Sequence, residues 1–172
     1  MTDSTDKGTD PRQQKKLTEL AQDFNVAMLA TQTPEAGLRA RPMVVAEVTD
    51  HGDMSFVTTV PSGLVDEVAR EPNVCVALQG RASYASISGI GRIRRDPERV
   101  KELWNPAFDA FFPQGPSTPA VAVVEVQAKT GEYWDQRGLK GLELLFEAGR
   151  AVFEGRRPDP ERLGEHGAVD LQ

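Results

Sequence analysis

The chain has 172 residues, 20 Lys and Arg against 26 Asp and Glu, a formal net charge of −6 and 39% apolar side chains. One domain is the expectation at this length, able to bury about 70% of its unfolded surface, and the acidic balance excludes a general nucleic-acid or anionic-membrane binder, which needs a basic face. The single cysteine, Cys75, rules out an internal disulfide or a thiolate cluster, and no run approaches the ~18 apolar residues of a membrane span, so a cytoplasmic protein is expected.

Residues 1–10, rich in Thr, Asp, Ser and Gly, read as a disordered tail. Asp10-Pro11 then supplies an N-cap and a first-turn proline, and Leu17, Leu20, Ala21 and Phe24 follow at helical spacing, giving an amphipathic helix that lids a sheet. Runs over 26–31 and 38–48, joined by Thr33-Pro34-Glu35-Ala36-Gly37, predict a hairpin. On its second strand the period of two puts Arg39 and Arg41 on one face and Leu38, Ala40, Pro42 and Val44 on the other. Pro42 removes a ladder donor, so the strand is at an edge or bulged there, and the two arginines beside it form a candidate anion site.

Asp50-His51-Gly52-Asp53 is a turn before a third strand over 54–59. Ser62 caps a helix over 63–70 with Leu64, Val65, Val68 and Ala69 facing inward. The hydroxyls of Thr58 and Thr59, feeding that helix N-terminus, suit a phosphate. Strands follow over 74–79 and 83–94; Cys75, inside an apolar run, reads as a buried structural thiol, and Gly89 and Gly91 predict a bulge or a close backbone approach. Arg92, Arg94 and Arg95 precede an acidic helix start, a simple charge match. Asp96-Pro97 opens that helix, with Val100, Leu103 and Trp104 on one side, until Asn105-Pro106 interrupts it.

A second short helix is expected to carry Phe108, Phe111 and Phe112, followed by a loop over 113–119 and the longest strand over 120–134. A last helix over 139–153 and a polar C-terminal tail over 156–172 complete the chain. The fold class is mainly β within α+β: a six-stranded antiparallel split β-barrel with peripheral helices, occupying 11–155. His51 and His166 lack metal-ligand spacing, so no metal site is expected. Nor is there a nucleophile with an adjacent base, or an HExxH, Walker or GxGxxG pattern.

Six motifs in order, Arg41-Pro42-Met43, Phe56-Val57-Thr58-Thr59, Ile87-Ser88-Gly89 with Asp96, Leu103-Trp104-Asn105-Pro106, Phe112-Pro113 and Glu132-Tyr133-Trp134-Asp135, span nearly the whole ordered chain. Together they resemble the FMN-binding split-barrel family related to pyridoxamine 5′-phosphate oxidase, in particular its general stress protein 26 branch. The resemblance implies a homodimer with FMN in clefts between subunits. It makes Thr58, Thr59 and Ser62, with Gly63 and Leu64 after them, the phosphate loop, and Arg41, Pro42 and Met43 ring or ribityl contacts. Trp104 stands evenly between a ring neighbour, from either subunit, and a packing residue; the phenylalanines and Trp134 read as core or interface. The family usually carries a lysine shortly after the loop serine, where this chain has Leu64. A charge-assisted bond is worth about 1.5 to 3 kcal/mol, so its loss is expected to weaken FMN binding by roughly one to two powers of ten unless Arg39, Arg41 or Arg81 compensates, and Leu64→Lys is expected to tighten it if the site is otherwise intact.

The resemblance thus implies an FMN-dependent oxidoreductase acting on a small molecule, with the cofactor supplying the electron chemistry. Two alternatives stand beside it: a non-catalytic flavin-binding stress protein, and a relative that has lost FMN or uses F420.

Overall fold

Helices start where the capping signals put them. In the computed structural model, which describes residues 10–35, 37–136 and 165–171, the Asp10 carboxylate accepts from the Arg12 N–H at 2.9 Å to open α1 (Pro11–Gln22). Ser62 accepts from the Val65 N–H at 3.4 Å to open α2 (Gly63–Arg70), and Asp96 accepts from Glu98 and Arg99 to open α3 (Pro97–Leu103).

The strands are β1 (Val26–Thr33), β2 (Gly37–Val48), β3 (Met54–Thr59), β4 (Asn73–Gln79), β5 (Ser83–Arg94), β6 (Val121–Asp135) and β7 (Glu165–Asp170). They form one antiparallel sheet in the order β3-β2-β1-β4-β5-β6-β7, and an added β3–β6 pairing closes the first six into the expected barrel. The β1–β2 hairpin is longer than the sequence runs, with Thr33 paired to Gly37, whose φ of +73° suits glycine at a tight reversal. The bulge falls between Ser88 and Gly89. A β-carbon at Gly89 would collide with the Gln127 carbonyl oxygen, so only glycine lets the two strands meet there.

Alternation along the strands makes two cores. Leu29, Phe56, Val76, Ile87, Val124 and Val126 point into the barrel, where Leu17 and Leu20 of α1 join them. The outward residues Val57, Val121 and Val123 pack instead against Val100, Leu103 and Phe108. This explains why β3 and the first half of β6 are buried on both faces.

Four local expectations change. The helix expected to carry all three phenylalanines is one 3-10 turn, Pro106–Phe108. The Phe112 N–H donates to the Phe108 carbonyl at 2.8 Å, and the chain leaves helical geometry before Pro113. Cys75 is half-buried rather than buried, because it faces out of the barrel between Val74 and Val76 and lies 3.4 Å from the Ser86 hydroxyl. On α2, Ala69 is exposed and Glu67 is buried. Finally, residues 165–170 of the supposed tail form β7, which pairs with 130–135 of β6, the half of that strand that β3 does not reach. The helix expected over 139–153 lies outside the described residues.

Candidate flavin cleft

The barrel is split between β2 and β3. Their pairing runs from Val48 with Met54 to Val45 with Phe56 and stops. Beyond it, 42–44 pair only with β1, and 57–59 pair only with β6. The two strand edges diverge, leaving a cleft of about 400 Å³, within the usual range for a small-molecule site. Pro42, Met43 and Val44 form one wall and Val57, Thr58 and Thr59 the other. Phe108, Phe111 and Phe112 cover the open side, with Val26 at the rim. Pro42 suits an edge whose N–H groups the sheet does not need.

The aromatic cover is built in depth. Phe108 is 1% exposed and anchors it. Phe112 lies over Phe108 with ring centroids 6.2 Å apart, and Phe111, at 66% exposure, stands at the mouth. Trp104 packs behind, 5.6 Å from Phe108 and 5.8 Å from Phe112 in tilted contacts, and its indole N–H donates to Asp109 at 3.0 Å. It supports the cover without lining the cleft.

The expected anion site has an occupant from the protein itself. Arg39 and Arg41 lie on the β2 face opposite Pro42 and Val44, over α2, where both meet Glu67. Arg39 Nη1 lies 3.1 Å from Glu67 Oε1, and Arg41 Nη2 lies 2.7 Å from Oε2. The Thr31 hydroxyl donates to Oε2 at 2.6 Å. Burial alone would push the Glu67 carboxyl up, but the Thr31 hydroxyl and the Arg41 and Arg39 guanidiniums outweigh it and hold its pKa below the ordinary glutamate value.

Of the residues singled out in the sequence, Pro42, Met43, Thr58 and Thr59 come together at the cleft, whereas Arg41, Ser62, Gly63, Leu64 and Trp104 are not in its lining. Ser62 spends its oxygen on the α2 cap, with Gly63 as the first helical residue. Leu64 is 4% exposed and packs in the inner core, so a lysine there would have to leave it. Glu67 was missed. Its spacing was the available signal, since it lies three residues after Leu64 and one before Val68, on the helix face that turns inward.

Among the described residues, no carboxylate, imidazole, thiol, lysine or arginine lines this cleft. It fits a flat apolar ring system well. For a phosphate it offers hydroxyl and backbone donors at Thr58 and Thr59 but no cation. In a separate charged cluster Arg99 joins Glu47, Glu102 and Glu125 while Arg94 joins Asp96 and Glu125, so of the three arginines at that strand end Arg94 makes the expected pairing with the helix start. The described residues include no group of three or more His, Cys, Asp or Glu placed to hold a metal, and no helix long and apolar enough to cross a membrane.

Known proteins share this architecture. A general stress FMN/FAD binding protein from Xanthomonas citri is 27% identical, with a TM-score of 0.65 over 75% of this chain and 92% of that one. A candidate general stress protein 26 from Jannaschia sp. CCS1 is 25% identical, with a TM-score of 0.69 over 90% of this chain and 96% of that one. Protein bli-3 of Neurospora crassa is 27% identical over 156 residues, 76% of this chain and 75% of its own length. Residues 12–159 match the family described as pyridoxamine 5′-phosphate oxidase like. With a split barrel whose opening lies at the expected Pro42-Met43 and Thr58-Thr59 motifs, the chain belongs to the pyridoxamine 5′-phosphate oxidase-like family.

Proposed function

We propose that the protein binds FMN with the isoalloxazine ring in the β2–β3 cleft and acts as an FMN-dependent oxidoreductase on a small molecule. The observation that carries this reading is the cleft itself, an apolar slot between two diverging strand edges with an aromatic cover. The Xanthomonas citri relative, named for FMN/FAD binding, supports it. Bound flavin would supply two-electron chemistry. The chain's own part is to wall the ring with Pro42, Met43 and Val57, to exclude water with Phe108 and Phe112, and to offer the Thr58 and Thr59 hydroxyls to polar edges of the ligand.

A homodimer completes the site in this proposal. Val26, Met28, Leu38 and Phe111 are 52%, 40%, 78% and 66% exposed, and Val26 and Phe111 are themselves part of the cleft mouth. The three strand residues share the outer face of the β1–β2 hairpin. A second copy covering this face would bury the apolar side chains and close the cleft together. Light scattering should give twice the 18.8 kDa chain mass; a monomer at micromolar concentration would refute the dimer. For the ligand, the purified protein should show flavin absorbance or take up FMN saturably, and the absence of both would remove the proposal.

The lining also favours a second reading, a non-catalytic flavin-binding protein, because among the described residues the cleft lining holds no acid or base to move a substrate proton. Stopped-flow mixing of the flavin-loaded protein with NADH or NADPH separates the two. Reduction and reoxidation at about 1 s⁻¹ or faster supports the oxidoreductase, and no turnover supports the binding protein.

A further inference from the structure

Arg39 and Arg41, three residues and one residue before Pro42, are the cations nearest to the cleft along β2, and both are committed to Glu67. The Glu67 side chain is 7% exposed, and each of its oxygens has a guanidinium partner, with the Thr31 hydroxyl as a third donor. To a guanidinium, a carboxylate and a phosphate present the same chemistry, anionic oxygens that accept charge-assisted hydrogen bonds. A ligand phosphate that took the N–H groups now committed to Glu67 would have to displace a tethered, buried carboxylate and leave it only the Thr31 hydroxyl. If the phosphate did not recruit them, it would meet only the neutral donors of Thr58 and Thr59 in the cleft lining.

We infer that Glu67 is an internal stand-in for a ligand phosphate, so that the cleft distinguishes little between a phosphorylated flavin and the same flavin without its phosphate. The inference rests on the cleft being the flavin site. The neutral ligand riboflavin then binds about as well as FMN. Two guanidiniums against one carboxylate leave one net positive charge, carried toward solvent by Arg39, whose side chain is 52% exposed. Salt screens a charge placed there, so it adds only a slight preference for the phosphate. Neutralising Glu67 while keeping both arginines frees them, and turns the site into one selective for FMN.

Flavin fluorescence quenching at 0.15 M salt, with FMN and riboflavin titrated in parallel into the wild type, Glu67→Gln and the double variant Glu67→Gln/Arg41→Gln, tests this. The wild-type dissociation constants for the two ligands should agree within about threefold. In Glu67→Gln, FMN binding should tighten by roughly tenfold or more with riboflavin unchanged, and the added Arg41→Gln should abolish that gain. A wild-type preference for FMN of about 100-fold or more overturns the inference and leaves the cleft assignment standing. So does an unchanged ratio in a Glu67→Gln protein that circular dichroism shows to be folded. Should that variant fail to fold, the wild-type ratio decides alone. Binding of neither flavin by the wild type overturns the cleft assignment, and the inference falls with it.

Discussion

Leu64→Lys separates the two roles that position 64 has been given. A lysine there would complete the phosphate loop that the sequence resemblance implies, yet the structure buries Leu64 to 4% exposure among the inner core residues. Removing that side chain from the core forfeits about 1.5 to 3 kcal/mol of burial. A lysine stem recovers part of this if its ammonium reaches water. Residue 64 is the second of α2, however, and a cation in a helix's first turn costs about 0.3 to 1 kcal/mol against the dipole. The net expectation is a loss of about 2 to 3 kcal/mol. With a slope of about 1 to 3 kcal/mol per molar urea, the unfolding midpoint should fall by about 0.7 to 3 M. Equilibrium urea denaturation followed by tryptophan fluorescence measures it, and FMN affinity should not improve. An unchanged midpoint together with FMN binding tightened about tenfold would refute the core assignment and place residue 64 at the phosphate.

Phe108→Ala should cost about 3 to 5 kcal/mol, because Phe108 is 1% exposed at the centre of the outer core, and should weaken flavin binding by loosening the cover; thermal melting and flavin titration read the two effects. Gly89→Ala sets a β-carbon against the Gln127 carbonyl across the bulge, and a melting temperature within a degree of wild type would contradict the strand register. The Glu67 carboxyl has a folded pKa below its ordinary value of 4.5, so its stabilising contribution is complete above pH 4.5 and disappears as pH falls through the folded pKa. Asp96, held below 3.8 chiefly by its hydrogen bond from Arg94, acts in the same direction from an exposed site. Stability measured from pH 6 down to pH 3 should therefore decline below about pH 4.5, less steeply in Glu67→Gln than in the wild type.

Local signals placed most elements. Asp10, Ser62 and Asp96 opened their helices, Pro106 ended one, and the alternation along 121–128 separated those residues of β6 into its two faces. The strand over 165–170 was invisible because, among its described residues, only Gly167 and Val169 are buried and it has no apolar run. Its pairing is set by the free edge of β6, and a β-carbon at Gly167 would meet the Tyr133 ring. At the site, the motifs located both walls of the cleft, since strand residues line whatever their edges face. Spacing placed Arg39 and Arg41 correctly on one side of β2, but it could not show that the opposing element was α2 with a carboxylate on its inner face. The same limit applied to Trp104, whose neighbours Phe108, Phe112 and Asp109 come from a turn that helical periodicity misread.

A crystal structure of the protein grown with excess flavin tests the central claim most directly. The expected result is planar density lying between residues 42–44 and 57–59, with Phe108 and Phe112 beside it. Flavin seated anywhere else on the barrel, or a cleft filled by the protein's own side chains at saturating flavin, would contradict it.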